Sequence, residues 1–185
     1  MNEPRIHRLP AKKLTPTSFS PFGIYAAEPD RPADWTASGS RIEGVREDVT
    51  MMGKPVAQLW NTGDLTFEQD VPFIGFVRYF NQGFRLAQLE RHIHETQTWL
   101  CRRGTAFVVA AAPGEHPTPE SAAAFLVEPG DLISFGKGVW MCHFFPLLNE
   151  AEFLVLTARR EPEQDRDLVN FVQTSNTILE ITLPE

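Results

Sequence analysis

A mainly-β domain, an antiparallel sandwich or barrel with few short helices, is the fold class this sequence predicts. Three observations predict it. Short apolar runs recur from Val56 to Thr157, most of them closed by Gly, Pro, Asn or Asp. Sustained helical periodicity is scarce by comparison. And 185 residues with 42% hydrophobic and 22% charged side chains are enough for one domain with a sizeable core.

Taken in order, residues 1–13 are basic and irregular. They read as an N-terminal arm, either mobile or an edge strand, within a single domain spanning 1–185. Thr15 and Pro16 read as a helix N-cap and first helical residue, with Pro21 and Gly23 ending the helix quickly. Phe19 and Phe22 are assigned to the core. From Ala26 to Gly53 the chain is rich in Pro, Asp, Gly and Ser. This reads as loop with one or two short strands, as at Arg41–Thr50, long enough to cover a pocket or a partner subunit. Strands follow at Val56–Trp60, Ile74–Phe80, Phe84–His94, Trp99–Leu100, Phe107–Ala112, Ala124–Val127, Leu132–Phe135, Val139–Phe145 and Phe153–Thr157. Turns are expected at Asn61–Asp64, Asn81–Gly83 and Arg102–Gly104, and Glu128-Pro129-Gly130-Asp131 suits type II. Ser121–Ala124 reads as a helical turn, Asp167–Val172 as a short helix or a strand, and Ile178–Leu183 as an edge strand.

A net charge of −7 and a pI near 5.3 argue against a broad nucleic-acid or anionic-membrane surface. Neither nucleic acid nor a membrane is an expected partner; a local basic pocket for a small acid remains compatible. Cys101 and Cys142 are too few for a disulfide framework and form no Cys-x-x-Cys, which fits a reduced, cytoplasmic setting. There is no apolar leader and no run long enough to span a bilayer.

The chemistry concentrates between Leu89 and Trp99, which hold two histidines, two acids, an arginine and a glutamine. On a strand, Glu90, His92 and His94 share one face. Buried there, they need partners or a ligand. The same residues also suit an ordinary polar strand face.

The middle of the chain resembles the cupin pattern: two histidines one residue apart, then an acid, a glycine turn, and later a further histidine. Counted from Gly104, those positions fall on Glu90, His92, Gln97 and Met141. The resemblance implies a cupin-like antiparallel β-barrel, a double-stranded β-helix. It also implies a possible divalent metal, held if present by Glu90, His92, His94 and His143; no cofactor is certain. More narrowly, several segments in order resemble the ureidoglycolate lyase family, a cupin-type group. They are Leu14–Gly23, Phe76-Val77-Arg78, Leu89-Glu90-Arg91-His92 with Thr96-Gln97, Phe125-Leu126-Val127, Gly138-Val139-Trp140 and Phe153-Leu154-Val155. Two departures stand out. Met141 and Cys142 occupy places where the family usually has histidines, and Thr157-Ala158 occupies the place of an aspartate-arginine pair.

The resemblance implies elimination of urea from ureidoglycolate, leaving glyoxylate, in allantoin degradation and purine catabolism. Such a reaction needs a cation for the carboxylate, a base for the hydroxyl proton and an acid for the departing nitrogen. His92, Glu90 and His143 are the catalytic candidates. Arg78 is read as the carboxylate's cation or as the partner of a structural acid. Lys137 is a second cation or a solvated turn residue. Gln97 binds substrate or ties strands together, and Trp140 walls the pocket or packs in the core. The alternatives are a diverged cupin with another activity, such as decarboxylase or isomerase, and a non-catalytic small-acid-binding cupin. A small carboxylate is the expected ligand, and a homodimer the expected assembly.

Overall fold

The computed structural model describes residues 3–27, 46–51, 54–60, 72–158 and 166–183. Strands β1 (Arg5–Lys13), β6 (Arg85–Leu86), β7 (Gln88–His92), β9 (Ala106–Ala111), β10 (Ala122–Val127), β12 (Trp140–Met141), β13 (Phe145–Pro146), β15 (Arg166–Asn170) and β16 (Thr177–Thr182) form one sheet. Its order is β15-β7-β12-β9-β10-β1-β16-β6, with β13 also on β9. Strands β2 (Gly23–Ala27), β11 (Asp131–Phe135), β8 (Gln97–Arg103), β14 (Glu150–Ala158) and β5 (Pro72–Phe80) form a second, in the order β2-β11-β8-β14-β5. β3 (Arg46–Met51) and β4 (Lys54–Trp60) pair as a hairpin. The described helices are α1 (Pro16–Phe19), α2 (Phe171–Ser175) and a single 3-10 turn at Pro119–Ser121. This is the mainly-β, cupin-like class expected from the sequence, two sheets sharing one apolar core.

Aromatic side chains close the sheets on each other. Thr15 caps α1, accepting the Ser18 N–H at 2.9 Å, and Pro16 takes the first helical position where no donor is needed. That turn drives Phe19 inward, 5.4 Å from Phe125 on β10 and 5.5 Å from Phe135 on β11, so one ring ties both sheets. A second cluster joins Tyr79 of β5, Trp99 of β8, Phe153 of β14 and Phe144. The type II turn forms as expected, with Asp131 N–H donating to the Glu128 carbonyl at 3.0 Å and Gly130 at φ 91°. Gly23 is confined to glycine: its φ is 147°, and a Cβ there would lie 1.9 Å from the Ser134 carbonyl oxygen.

Of the two readings of the N-terminal arm, the strand is the one found, but it is not at an edge. Residues 5–13 are strand β1, paired in parallel with β16 over Arg5–Pro10 and with β10 over Ala11–Lys13. Leu9 and Ala11 are buried in the core while the lysines and arginines face out. The basic residues and Pro10 masked this pattern. Pro10 stands where the strand changes partner, so its missing N–H disturbs the ladder least. β16 is correspondingly not an edge, because β6 pairs with it at Leu179 and Glu180. Asp167–Val172 contains both alternatives, β15 running into α2, whose cap is the Asn170 side chain. β7 ends at His92, so His94 lies on a bend and does not share the strand face. The turn expected at 61–64 and most of the 26–53 segment fall outside the described residues.

Candidate active site

Strand parity builds the site from β7. Glu90 is the cross-strand neighbour of Met141 on β12 and of Leu168 on β15, and His92 is the neighbour of Arg166. Directly opposed residues share a face, so Glu90, His92, Met141 and Arg166 stand on one side. Arg91, Trp140 and Asp167 stand on the other, where Arg91 bonds Asp167 at 2.8 Å and lies over the Trp140 ring.

His92 is held between two groups. The Gln97 amide nitrogen lies 2.9 Å from its Nε2, and a Glu95 carboxylate oxygen lies 3.7 Å from its Nδ1. An amide N–H donates, so Nε2 carries the lone pair and the ring proton sits on Nδ1, facing the carboxylate. Glu95 is only 3% exposed. A buried carboxylate needs donors, and the Thr157 hydroxyl supplies one at 2.8 Å. Thr157 points inward because it keeps the parity of buried Phe153 and Val155 along β14.

Glu90 faces a cavity of about 440 Å³ lined by Gln82, Arg85, Gln88, Met141, Cys142 and His143, among others. Partial desolvation draws the His143 ring down from the usual histidine value, opposed by the Glu90 charge, while the residue as a whole stays exposed at the cavity. The Cys142 thiol is pushed up to about 12 by burial, and it accepts the Val109 N–H at 3.3 Å. It stays protonated and is no nucleophile. The Tyr79 phenol is also pushed up by burial and by Glu90, and it stacks on His143 with centroids 6.3 Å apart. It remains a neutral donor. Among the described residues, Trp99 Nε1 is the buried side-chain nitrogen left without a hydrogen-bond partner.

The structure thus sets Glu90 and His92 on one face of β7, with Gln97 against His92 and His143 at the cavity that Glu90 lines. It does not bring Arg78 there. Arg78 projects from the outer face of β5, bonded to Glu152 and 3.8 Å from Glu150. Trp140 is buried on the opposite face, its indole N–H donating to the Gly114 carbonyl at 2.9 Å, and so does not wall the cavity. Lys137 lies in an exposed turn whose Gly138 N–H donates to the His92 carbonyl at 2.7 Å, which sets that turn beside the end of β7. The conditional metal set is not gathered: among the described residues no three His, Cys, Asp or Glu side chains converge as ligands. His94 is on the bend, and His143 lies beyond the end of β12 rather than in register with Met141.

Sequence reasoning missed Glu95, Thr157, Tyr79, Arg85 and Arg166 as site residues. Glu95 was within the central stretch, but strand alternation carried through 93–95 hides the bend that turns it inward.

The family model for ureidoglycolate lyase matches residues 6–180. This chain belongs to the ureidoglycolate lyase family. Among curated relatives, it is 36% identical over 72 residues to a ureidoglycolate lyase of Azotobacter vinelandii, covering 38% of this chain and 43% of that protein. It is 32% identical over 71 residues to ureidoglycolate lyase 2 of Rhizobium meliloti, covering 38% and 44%. The matched segments therefore span less than half the length of those relatives. Solved structures that align in part with this chain include a dTDP sugar isomerase from Desulfovibrio desulfuricans G20, at 18% identity and TM-score 0.43, covering 68% of this chain and 81% of that one. Another is an oxalate decarboxylase from Lactobacillus farciminis, at 10% identity and TM-score 0.40, covering 60% and 31%. The Thr157 departure noted in the sequence has a physical counterpart in this family member: its hydroxyl serves the buried Glu95, where a second carboxylate would repel it.

No described helix is long and apolar enough to cross a membrane.

Proposed function

We propose that this protein is a carbon–nitrogen lyase of the amidine-lyase type, cleaving ureidoglycolate or a related small hydroxy or amino acid derivative, with urea and glyoxylate as the family products. The observation that carries this reading is His92 held between Gln97 and Glu95, inside the family's most specific motif. The substrate displaces the Gln97 amide from Nε2. His92 takes the carbinol hydroxyl proton, the carbon–oxygen bond becomes a carbonyl, and the carbon–nitrogen bond breaks. The electron pair leaves on nitrogen, which receives that proton back from His92. Nothing is oxidised or reduced. Glu95 favours the imidazolium formed midway, and the Gln97 amide is released to bond the substrate. A small-acid-binding protein without turnover is the second reading, favoured by the outward, ion-paired Arg78.

The test is urea and glyoxylate release from ureidoglycolate by purified protein, with divalent metal added and with chelator. Robust release supports the lyase. A folded protein that releases nothing at high concentration in either arm points to the binding reading.

The proposal places this single domain in the reducing cytoplasm, consistent with its buried free cysteines, and as a homodimer. The dimer is supported by β5, which ends its sheet among the described strands and has Ile74 65%, Phe76 72% and Phe80 59% exposed. Unpaired edges with apolar side chains favour pairing. Light scattering is expected to report twice the 20.9 kDa chain mass, and Phe76→Asp is expected to return the monomer. A monomeric wild type overturns the dimer.

A further inference from the structure

We propose that Arg166 on β15 is the cation that binds the substrate's carboxylate. This rests on the lyase reading for the reaction, but its own ligand is the carboxylate group.

In a 2-hydroxy acid the carboxylate is attached to the carbon that bears the reacting hydroxyl. Its cation must therefore lie within a residue's width of the base. Arg78 fails this on geometry, being on the outer face with Glu150 and Glu152. Arg166 meets it. It is the direct cross-strand neighbour of His92, a relation that sets Cα atoms about 4.5–5.5 Å apart and side chains on one face. Its Nη1 lies 3.3 Å from Glu90 Oε2, so Glu90 holds the guanidinium at the face where His92 stands. That contact uses one nitrogen of a planar group with five N–H donors, which leaves a fork able to grip a carboxylate bidentately. Arg166 is partly exposed, with 41% of its side chain accessible, as a group that must admit a ligand needs to be. Two other arginines near the site fit less well. Arg91 is committed to Asp167 and Trp140 on the opposite face, and Arg85 bonds Glu180 through both Nε and Nη2 at 2.7 Å.

The experiment compares wild type, Arg166→Ala, Arg166→Lys and Arg78→Ala. Urea release gives kcat and KM. Calorimetry gives the affinity for glyoxylate and for glycolaldehyde, which lacks the carboxylate. Arg166→Ala is expected to raise KM and weaken glyoxylate roughly 10- to 100-fold, with glycolaldehyde unaffected and Arg166→Lys between. Equal weakening of both probes assigns Arg166 a structural role and overturns the proposal. So does a KM effect in Arg78→Ala that is missing in Arg166→Ala. If wild type releases no urea but binds glyoxylate in an Arg166-dependent way, the carboxylate site stands and the lyase reading falls. If wild type binds no glyoxylate, the proposal falls.

Discussion

His92→Ala is expected to lower kcat for urea release by roughly 10²- to 10⁴-fold, the range for loss of a positioned general base, with the fold intact. The reason is geometric. His92 is the imidazole whose Nδ1 faces a buried carboxylate and whose Nε2 faces an exchangeable amide donor. Its side chain is only 18% exposed, but it ends a short strand at the rim of the sheet, so truncation leaves no large core void. Circular dichroism and the melting temperature check that last point. Glu95→Gln keeps the shape and removes the charge. It is expected to lower kcat about tenfold, equivalent to roughly 1.4 kcal/mol, and to leave KM nearly unchanged, because Glu95 acts through His92 rather than on substrate. An unchanged kcat in His92→Ala would move the base elsewhere, with His143 at the cavity the next group to replace.

Phe153→Ala is expected to cost about 3–5 kcal/mol of stability, the range for emptying a buried aromatic site. Phe153 is 0% exposed and stacks on Phe144 at a centroid distance of 4.0 Å. It also contacts Trp99 and Tyr79 edge-on, joining β14 to β8 and β5. In a domain of this size the loss corresponds to a melting shift of roughly 6–20 °C, a large part of a typical total stability. Leu148→Ala, at a side chain 77% exposed, is the control and should fall within about 0.5 kcal/mol of wild type. A loss below about 1 kcal/mol at Phe153 would mean that this cluster does not hold the sheets together.

Local chemistry explains which features were legible in the sequence. The Thr15-Pro16 cap, the Pro129-Gly130 turn and Phe19 in the core each depend on residues within a few positions of one another. Alternating or continuous apolar runs marked most of the strands, because burial on one or two faces leaves that trace. β1 is only half legible because its trace is thin: Leu9 and Ala11 among basic residues, with Pro10 between them, fit an edge strand as well as a central one. Its pairing with β16 joins the two ends of the chain, and no short window of sequence contains that contact.

The sequence by itself determined the mainly-β class, the family motif and the pairing of Glu90 with His92 on one face, since strand parity follows from covalent geometry. Only the tertiary structure decided what those residues meet. The bend after His92 turns Glu95 inward, β14 brings Thr157 to it from 62 positions away, and β15 sets Arg166 opposite His92. The same packing sends Arg78 and Trp140 to other faces. The physical reason is that side-chain alternation along a strand is local, whereas which strand lies beside which, and where a strand stops, follows from burial across the whole core.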